Sequence, residues 1–414
     1  MSKSPKPKVA ILVNSLLAGG AERFVSLVLA SLADEFETHL LLLENIIEYD
    51  LPTGQIIVDL ETNGVRSADV SNLLRMPFVA HAIKKYCNTN SIQLLVSFSN
   101  RPNMAACLAK KLGLKATLFI SERTYTAALY SQNSLRGKIG RFITSTLYPW
   151  ADAILPNSKG SRESLENDFN IKSNYIEIKN AIVIDDIRSK KDESVDDVEF
   201  DRFTFVCVGG FRLVKNHRML VEAFAGINNE DSQLLLIGTG YKLHGEGYKV
   251  MQEIRDMVKS LGLEQRVLFL GQKENPFKYL SRSDCFVLSS DFEGFPNVLL
   301  EALSCGLPVI STDCPTGPRE ILAPGRKVTN SDLGSYENGE YGLLVSSGNA
   351  TAMTSAMEEL MRNESLRKKL IAKSEVRAKE FDSKVVMKEF YQLIANHFCL
   401  SEKVSASPNE FSAP

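Results

Sequence analysis

The sequence predicts an α/β protein with two Rossmann-like parallel-sheet domains, and three observations support this fold class. Short, apolar, β-branched stretches alternate with amphipathic stretches at helical spacing, a pattern typical of βαβ units. The alternation occurs twice, on either side of a charged segment at residues 185–202. The length of 414 residues also suits two domains. We expect an amino-terminal domain at 1–184 and a carboxyl-terminal domain at 203–380, facing a cleft onto which their strand ends open.

The amino-terminal series begins with "KVAILVN", a short apolar strand that ends at a turn signal. The following stretch, "AERFVSLVLASLADEF", has its apolar residues three and four positions apart, which predicts an amphipathic helix. Five further strands are predicted at "THLLLL", "IQLLVSFS", "ATLFISE", "ADAILPNS" and "YIEIKNAI". Helical stretches separate most of these strands, as a parallel sheet requires.

The second series follows a predicted linker at 185–202, "DDIRSKKDESVDDVEFDR", which is charged and lacks an apolar stripe. Its predicted strands are "FTFVCVGGF", "SQLLLIGTG", "RVLFLG", "CFVLSS" and "PVIST", and its predicted helices are 216–227, 249–261, 275–281 and 297–304. Residues 350–398 have helical spacing, and we expect a helix at 381–400 to return to the first domain. The tail at 401–414 is predicted to be disordered.

Composition excludes several classes of protein. The formal net charge of -2 predicts no general attraction to nucleic acid. The seven cysteines have no metal-ligand spacing and lie mostly in apolar stretches, so we expect reduced core thiols and no metal site. No apolar run approaches the roughly 18 residues that span a bilayer. A cytoplasmic location follows from these features.

The segment "DFEGFPNVLLEALSCGLPVI" at 291–310 carries the first candidate site residues. Glu293 and Glu301 stand eight positions apart around the start of a predicted helix, with Gly294 between them. Backbone amides in the first turn of a helix form an anion site, and a glycine there permits close approach. The two carboxylates would accept hydrogen bonds from hydroxyls on either side of a diphosphate. An ordinary acidic helix start with a solvated glutamate is the alternative.

The loop "GGFRLVKNHR" at 209–218 follows a strand and carries four basic side chains: Arg212, Lys215, His217 and Arg218. Cations at this position would neutralise a diphosphate leaving group, although a solvated basic loop has the same composition. Gly19 and Gly20 form a turn after the first strand, but the full dinucleotide-binding glycine pattern is absent. Together, the amides, cations and carboxylates favour a nucleoside diphosphate-sugar over a dinucleotide.

These motifs resemble the retaining glycosyltransferases of the GT-B fold, the large family-four group. The resemblance covers about residues 8–385, and its most specific part is the Glu293–Glu301 pair within "SSDFEGFPNVLLEALSCGLPVISTDCPTGPREIL". "GGAERFVSLVLASLA" and "KNHRMLVEAF" also match. The stretch "TDCPTGPREIL" most resembles bacterial transferases that add N-acetylhexosamine or hexose to lipid-linked glycans.

The resemblance implies transfer of a sugar, with retention of configuration and without a metal or cofactor. The implied donor is UDP-GalNAc, UDP-GlcNAc or a UDP-hexose, and the acceptor is a polyprenyl-diphosphate-linked or surface-polysaccharide glycan. Glu293 would contact the donor sugar, Glu301 the ribose diol, and Lys215 and Arg212 the diphosphate. Five further positions would approach the phosphates and sugar: Gly19, Gly20, Gly294, Phe295 and Asn297.

Two positions depart from the family pattern. Gly210 stands where the family usually has an arginine, and Arg212 follows two residues later. Where many members have a histidine near the acceptor, this chain reads "ISERTY", with Glu122 and Arg123. A non-catalytic nucleotide-sugar binder is therefore an alternative interpretation. A sugar-nucleotide epimerase of the same fold is a second alternative, since it would act on the nucleotide-sugar without an acceptor.

Residues 101–142 have a local excess of positive charge. They contain eight lysines and arginines and one acidic residue, Glu122. The stretch "SLRGKIGRFITSTLYPW" mixes these cations with large apolar side chains, which suits an anionic membrane surface or a pyrophosphate lipid. A helix packed on its own sheet with a solvated basic face is the alternative. We expect peripheral association with the inner face of the plasma membrane.

Overall fold

The computed structural model describes residues 5–17, 19–60, 70–130, 134–240, 245–326 and 336–398, with side chains of the helix at 70–89 described from residue 75. These residues form two compact units. The first contains the chain up to Ala181 together with the helix at Ser383–His397, and the second contains Ile182–Asp382. The predicted disordered tail at 401–414 lies outside the described residues.

Strands and helices alternate along most of the chain. The strands are β1 (Lys8–Val13), β2 (Glu37–Leu42), β3 (Ile56–Asp59), β4 (Leu94–Phe98), β5 (Thr117–Glu122), β6 (Ala153–Pro156), β7 (Phe203–Val208), β8 (Ser232–Ile237), β9 (Val267–Gly271), β10 (Cys285–Leu288), β11 (Val309–Thr312), β12 (Glu337–Asn338) and β13 (Leu343–Val345). The helices are α1 (Gly20–Leu32), α2 (Val70–Thr89), α3 (Asn100–Lys111), α4 (Thr126–Leu129), α5 (Leu135–Leu147), α6 (Lys159–Asn167), α7 (Ile184–Lys190), α8 (His217–Ala225), α9 (Glu246–Ser260), α10 (Phe277–Leu280), α11 (Asn297–Ser304), α12 (Pro318–Leu322), α13 (Ala350–Arg362), α14 (Glu364–Lys379) and α15 (Ser383–His397).

The first unit is built on a six-stranded parallel sheet with the order β3-β2-β1-β4-β5-β6. Ile11 at the centre of β1 is in register with Leu40 on one side and Val96 on the other. Because helices cover both faces of such a sheet, its central strands β1 and β4 are mostly apolar and mostly buried. The strand order reverses between β1 and β4, so the loops after these two strands lie at the switch point where α/β sheets bind ligands.

The second unit repeats this arrangement in a seven-stranded sheet with the order β12-β13-β11-β10-β7-β8-β9. All of its neighbouring strands are parallel except β12, which pairs antiparallel with β13. Its order reverses between β7 and β10. The loops at 209–216 and 289–297, which carry the candidate residues Lys215 and Glu293, leave the sheet at this switch point.

The helix α15 packs on the first unit although it follows the second in sequence. Phe390 is fully buried, and its ring centroid lies 6.1 Å from that of Phe24 on α1 and 6.4 Å from that of Phe98 on β4. Val386, Met387 and Ile394 belong to the same apolar cluster. This helix therefore completes the core on one face of the first sheet.

Three sequence predictions differ from the structure. "YIEIKNAI" is not a strand, because Pro156 at the end of β6 has no N–H with which to continue the ladder after the bridge between Ile154 and Tyr175. The strands β3, β12 and β13 were not predicted. The charged segment at 185–202 lies inside the second unit, begins with α7 in its first residues, and contributes Val195, Val198 and Phe200 to the surroundings of the core.

Six cysteines in the described part of the chain are free, and five of them are buried: Cys87, Cys107, Cys207, Cys285 and Cys314. Burial raises the pKa of the Cys87 thiol to about 12, and Cys207 and Cys314 shift in the same way. These thiols are therefore protonated core groups. The seventh cysteine, at 399, lies outside the described residues.

Candidate active site

Lys215 and Glu293 meet at the switch point of the second sheet. The Nζ of Lys215 lies 2.7 Å from Oε1 of Glu293, and the Ser290 hydroxyl donates to the same oxygen at 2.6 Å. The two charged side chains are 23% and 12% exposed, so the pair is mostly shielded but reachable from solvent. Among the described residues, Oε2 of Glu293 accepts no hydrogen bond. This oxygen can therefore accept a hydrogen bond from a ligand hydroxyl.

The two loops that carry this pair are fastened to each other. The Ser289 hydroxyl donates to the Lys215 carbonyl at 2.7 Å, and the Asp291 N–H donates to the Val214 carbonyl at 2.8 Å. Asn216 has a left-handed backbone with φ of 46°, caps α8 with its side-chain oxygen, and donates to Asp291 Oδ1 at 3.0 Å. A side-chain cap and three cross-loop bonds thus hold Lys215 opposite Glu293.

The turn after Glu293 leads into α11. Gly294 makes no backbone N–H hydrogen bond within the described part of the chain, and α11 begins at Asn297. Phe295 is buried against Phe381, with 5.5 Å between the ring centroids, while Glu301 is half-buried on the helix. An open amide next to a helix start is a suitable place for an anion.

The basic loop at 209–218 differs in part from its prediction. Arg212 is exposed on the same loop as Lys215. His217 is not a surface cation: it is 2% exposed, stacks on Phe211 with 4.4 Å between ring centroids, and its pKa is lowered to about 4 by burial and by Lys215. Arg218 pairs with Glu222 at 3.1 Å on the exposed side of α8. Of the four predicted basic side chains, Lys215 and Arg212 therefore remain the candidate contacts for an anion.

Gly19 and Gly20 lie in the first unit, where Gly19 is the residue before α1 and Gly20 is the first residue of that helix. The Tyr49 hydroxyl fixes this turn by donating to the Gly19 carbonyl at 3.0 Å and accepting from its N–H at 3.1 Å. A Cβ at Gly19 would lie 2.3 Å from Oε2 of Glu22, whose pKa is raised by burial. Because this oxygen is at the end of a flexible side chain, a residue larger than glycine at position 19 would require Glu22 to move but would meet no backbone atom closer than 3.8 Å.

Glu122 and Arg123, at the end of β5, are both buried. Glu122 accepts hydrogen bonds from the Tyr148 hydroxyl at 2.7 Å and the Thr124 hydroxyl at 2.8 Å, and burial raises its pKa. The Arg123 guanidinium lies 3.6 Å from the ring centroid of Phe24 and donates to Asn180 at 3.1 Å, while burial lowers its pKa to about 9. Both groups support the local fold and present no charge at the surface.

The basic excess at 101–142 is smaller on the surface than in the sequence. Besides the buried Arg123, Arg101 pairs with Glu44 at 3.0 Å and Lys110 with Asp152 at 2.7 Å. The helix α5 nevertheless exposes three large apolar side chains one helical turn apart: Leu135 is 76% exposed, Ile139 43% and Phe142 72%. No helix in the described ranges is both long and apolar enough to cross a bilayer.

Sequence comparison identifies the family. Residues 190–377 match the family described as "Glycosyl transferases group 1". The Campylobacter jejuni subsp. jejuni serotype O:2 protein named N-acetylgalactosamine-N,N'-diacetylbacillosaminyl-diphospho-undecaprenol 4-alpha-N-acetylgalactosaminyltransferase is 35% identical over 376 residues, 91% of this chain and 96% of that protein. This chain belongs to the group 1 glycosyltransferases. A second C. jejuni protein is 26% identical to this chain, over 94% of this chain and 98% of the relative. It is named GalNAc-alpha-(1->4)-GalNAc-alpha-(1->3)-diNAcBac-PP-undecaprenol alpha-1,4-N-acetyl-D-galactosaminyltransferase.

Solved structures confirm the fold class predicted from the sequence. Sucrose-phosphate synthase from Thermosynechococcus elongatus matches 96% of the transferase and 100% of its own chain, with a TM-score of 0.78 and 18% identity. The Anabaena protein HepE in complex with UDP matches 94% of the transferase and 100% of its own chain, with a TM-score of 0.71 and 16% identity. The transferase has the GT-B fold.

Proposed function

We propose that the transferase moves a sugar from a UDP-sugar to a polyprenyl-diphosphate-linked or surface-polysaccharide glycan, with retention of anomeric configuration. The observation that carries the proposal is the Lys215–Glu293 pair at the switch point, where one carboxylate oxygen accepts from Lys215 and the other is available to a sugar hydroxyl. The names of both C. jejuni relatives, which specify N-acetylgalactosamine transfer to diphospho-undecaprenol glycans, support the acceptor class. We propose UDP-GalNAc, UDP-GlcNAc or a UDP-hexose as donor.

In this proposal, the donor is held by charge and by hydroxyl recognition. Lys215 and Arg212 neutralise the diphosphate, which develops negative charge as it departs. Glu293 accepts a hydrogen bond from the donor sugar, and Glu301 accepts from the ribose diol. The backbone amides of Gly294, Phe295 and Asn297 contact phosphate and sugar at the start of α11, and Gly19 and Gly20 are proposed as further positions that a phosphate can approach closely. Because the side-chain cations balance the charge, the proposed reaction includes neither a metal nor a cofactor.

Retention is proposed to follow from attack on the same face of the sugar that the diphosphate leaves. The bond between the anomeric carbon and the diphosphate oxygen breaks, and a bond to the acceptor oxygen forms. The acceptor hydroxyl gives its proton to the departing diphosphate oxygen. Glu293 orients the sugar in this scheme and forms no covalent bond.

The proposed location is the inner face of the plasma membrane, with α5 lying on the anionic surface. Leu135, Ile139 and Phe142 would enter the headgroup region, while Arg136 and Lys138 on the same helix attract anionic lipid. Phosphatidylglycerol vesicles should co-sediment the protein at low salt, and Phe142→Ser should weaken this binding. Val376→Ser, on an exposed residue of the second unit, is the control. Equal loss in both variants would contradict the role of α5.

Nucleotide-dependent unfolding tests the donor assignment. A ligand at 100 times its dissociation constant adds about 2.7 kcal/mol of stability. We expect UDP to raise the unfolding midpoint more than GDP or ADP does, and Glu301→Gln to remove most of the UDP shift. Glu222→Gln, on the exposed side of α8, should leave the shift unchanged. A shift with GDP or ADP alone would overturn the choice of UDP.

Turnover then separates a transferase from the other activities of this fold. UDP release should require both a UDP-sugar and a polyprenyl-diphosphate glycan, and Glu293→Gln should lower kcat more than it weakens UDP binding. Interconversion of the UDP-sugar without an acceptor would identify an epimerase. Binding of UDP without turnover under any acceptor would identify a nucleotide-sugar binder.

A further inference from the structure

The loop after β11, residues 313–317, lies directly against the backbone of the Glu293 turn. Thr316 is 2% exposed, and its hydroxyl donates to the Glu293 carbonyl. Gly317 has φ of +91°, and a Cβ built on it would lie 2.6 Å from Cδ of Pro296 and 3.0 Å from Cα of Phe295. Because the two backbones touch, the position of the Glu293 turn depends on the position of this loop.

An ion-pair network closes the loop. Arg319, in the first turn of α12, places its Nε 3.1 Å and 3.0 Å from the two carboxylate oxygens of Asp313, the first residue of the loop. The same guanidinium bonds Glu337 on β12 at 3.2 Å and 2.8 Å. The Asp313 N–H donates to the Val345 carbonyl on β13 at 2.7 Å. The guanidinium therefore joins the first residue of the loop, the helix that follows it and the edge of the sheet.

The network has little access to water. The side chains of Arg319, Asp313 and Glu337 are 16%, 17% and 23% exposed. One planar guanidinium serves two carboxylates, a geometry that a flexible ammonium group cannot reproduce. The side-chain hydrogen bonds of Arg319 in the described ranges all go to these two carboxylates. The most direct connection from the Arg319 side chain to the Glu293 turn therefore runs through Asp313 and the loop that it begins.

We propose that Arg319 is a positioning residue for Glu293. By holding the ends of the loop, it keeps Thr316 and Gly317 against the Glu293 turn, which sets the direction of the Glu293 carboxylate relative to Lys215. The inference rests on the proposed function of Glu293 for its catalytic consequence. The structural coupling between the Arg319 network and the Glu293 turn does not depend on the proposed function or on a ligand.

Amide hydrogen exchange of the segment 289–297 tests the coupling in the full chain without a ligand. Arg319→Lys keeps the charge and loses the fork geometry, and we expect it to speed exchange in this segment by about fivefold or more. Thr316→Val, which removes only the hydroxyl bond to Glu293, should act in the same direction. Arg266→Lys is the matched control, since Arg266 bonds Ser232 and Asn229 near the amino ends of the strands of the same sheet.

The catalytic part is tested with the UDP-sugar that the unmodified protein transfers. We expect Arg319→Lys to lower kcat by about tenfold or more, because small misplacements of an orienting group are costly, while the Kd for UDP changes less than about threefold. Arg266→Lys should change neither kcat nor the Kd for UDP once both are corrected for the amount of folded protein.

Two results would overturn the inference. Exchange in 289–297 that responds equally to Arg319→Lys and Arg266→Lys would reduce Arg319 to a general stabilising role. If Arg319→Lys does not fold, unchanged exchange in Thr316→Val would refute the coupling. Absence of sugar transfer by the unmodified protein would refute the proposed function, yet the exchange comparison would still decide whether Arg319 positions the Glu293 turn.

Discussion

Removal of the two charges at the switch point should reveal a measurable coupling between Lys215 and Glu293. A double-mutant cycle with Lys215→Met and Glu293→Gln isolates their interaction. At 2.7 Å and an effective dielectric constant of about 20, Coulomb's law gives about 6 kcal/mol as an upper limit. Exposed pairs contribute at most about 1 kcal/mol, and breaking fully buried pairs costs about 3–5 kcal/mol. With side chains 23% and 12% exposed, we expect a coupling of about 2 kcal/mol.

The assay must report on the second unit alone, because two units can unfold separately. The single tryptophan, Trp150, lies in the first unit, so its fluorescence cannot serve. Amide exchange in β7 and β10, measured at increasing urea, gives the opening free energy of the second unit. The Trp150 transition should be the same in all four proteins. A coupling below about 0.5 kcal/mol, the range of an exposed pair, would refute the shielded geometry from which the magnitude is derived.

Three further predictions concern stability. The pKa of His217 is lowered from 6.5 to about 4 in the folded protein. The stability that the uncharged His217 ring contributes to the fold is therefore fully present above pH 6.5 and is lost as the pH falls towards 4. When the pH is lowered from 7 to 5, the free energy of unfolding in urea should therefore fall by about 2 kcal/mol more in the unmodified protein than in His217→Phe. The control His81→Gln, at an exposed position, should show the same fall as the unmodified protein. Gly317→Ala should lower the free energy of unfolding by about 1–3 kcal/mol more than Gly306→Ala does, measured by thermal unfolding. Both glycines have positive φ, but of the two only Gly317 has a backbone atom within 3.0 Å of the added Cβ. Equal losses in the two variants would contradict the close contact. Phe390→Ala should destabilise the first unit by about 3–5 kcal/mol, read from the Trp150 transition, and a loss below about 1 kcal/mol would show that α15 adds little to that core.

Most of the fold could be predicted because burial on both sheet faces dictates apolar strands. The runs around Ile11 and Val287 are apolar at every position, and the structure confirms them as central strands. The strand β3 was missed for the opposite reason. Ile56 and Ile57 are 41% and 48% exposed at the sheet edge, so no buried stripe marks the strand. At the other edge, Pro156 stops a ladder that the apolar pattern of "YIEIKNAI" favours.

The candidate site was predictable in its parts and less so in its contacts. Loops after strands of one parallel sheet must leave at the same edge, which is why Lys215 and Glu293 could be expected near each other. Their pairing depends on Asn216 at φ of 46° and on Thr316, a residue 23 positions from Glu293, and neither dependence is written in local spacing. His217 was wrong as a cation because its position after Asn216 turns it into the core, where an uncharged ring is favoured.

The return of α15 to the first unit has a consequence for the order of events on the ribosome. Residues 182–382 must all be translated before Ser383–His397 exists, which takes about 10–40 s at typical elongation rates. During that time the nascent first unit has Phe24 and Phe98 without their partner Phe390. The second unit is continuous in the chain and can finish folding first. Nascent chains halted before residue 383 should consequently bind chaperones that recognise exposed aromatic surface, and release them once the last helix emerges.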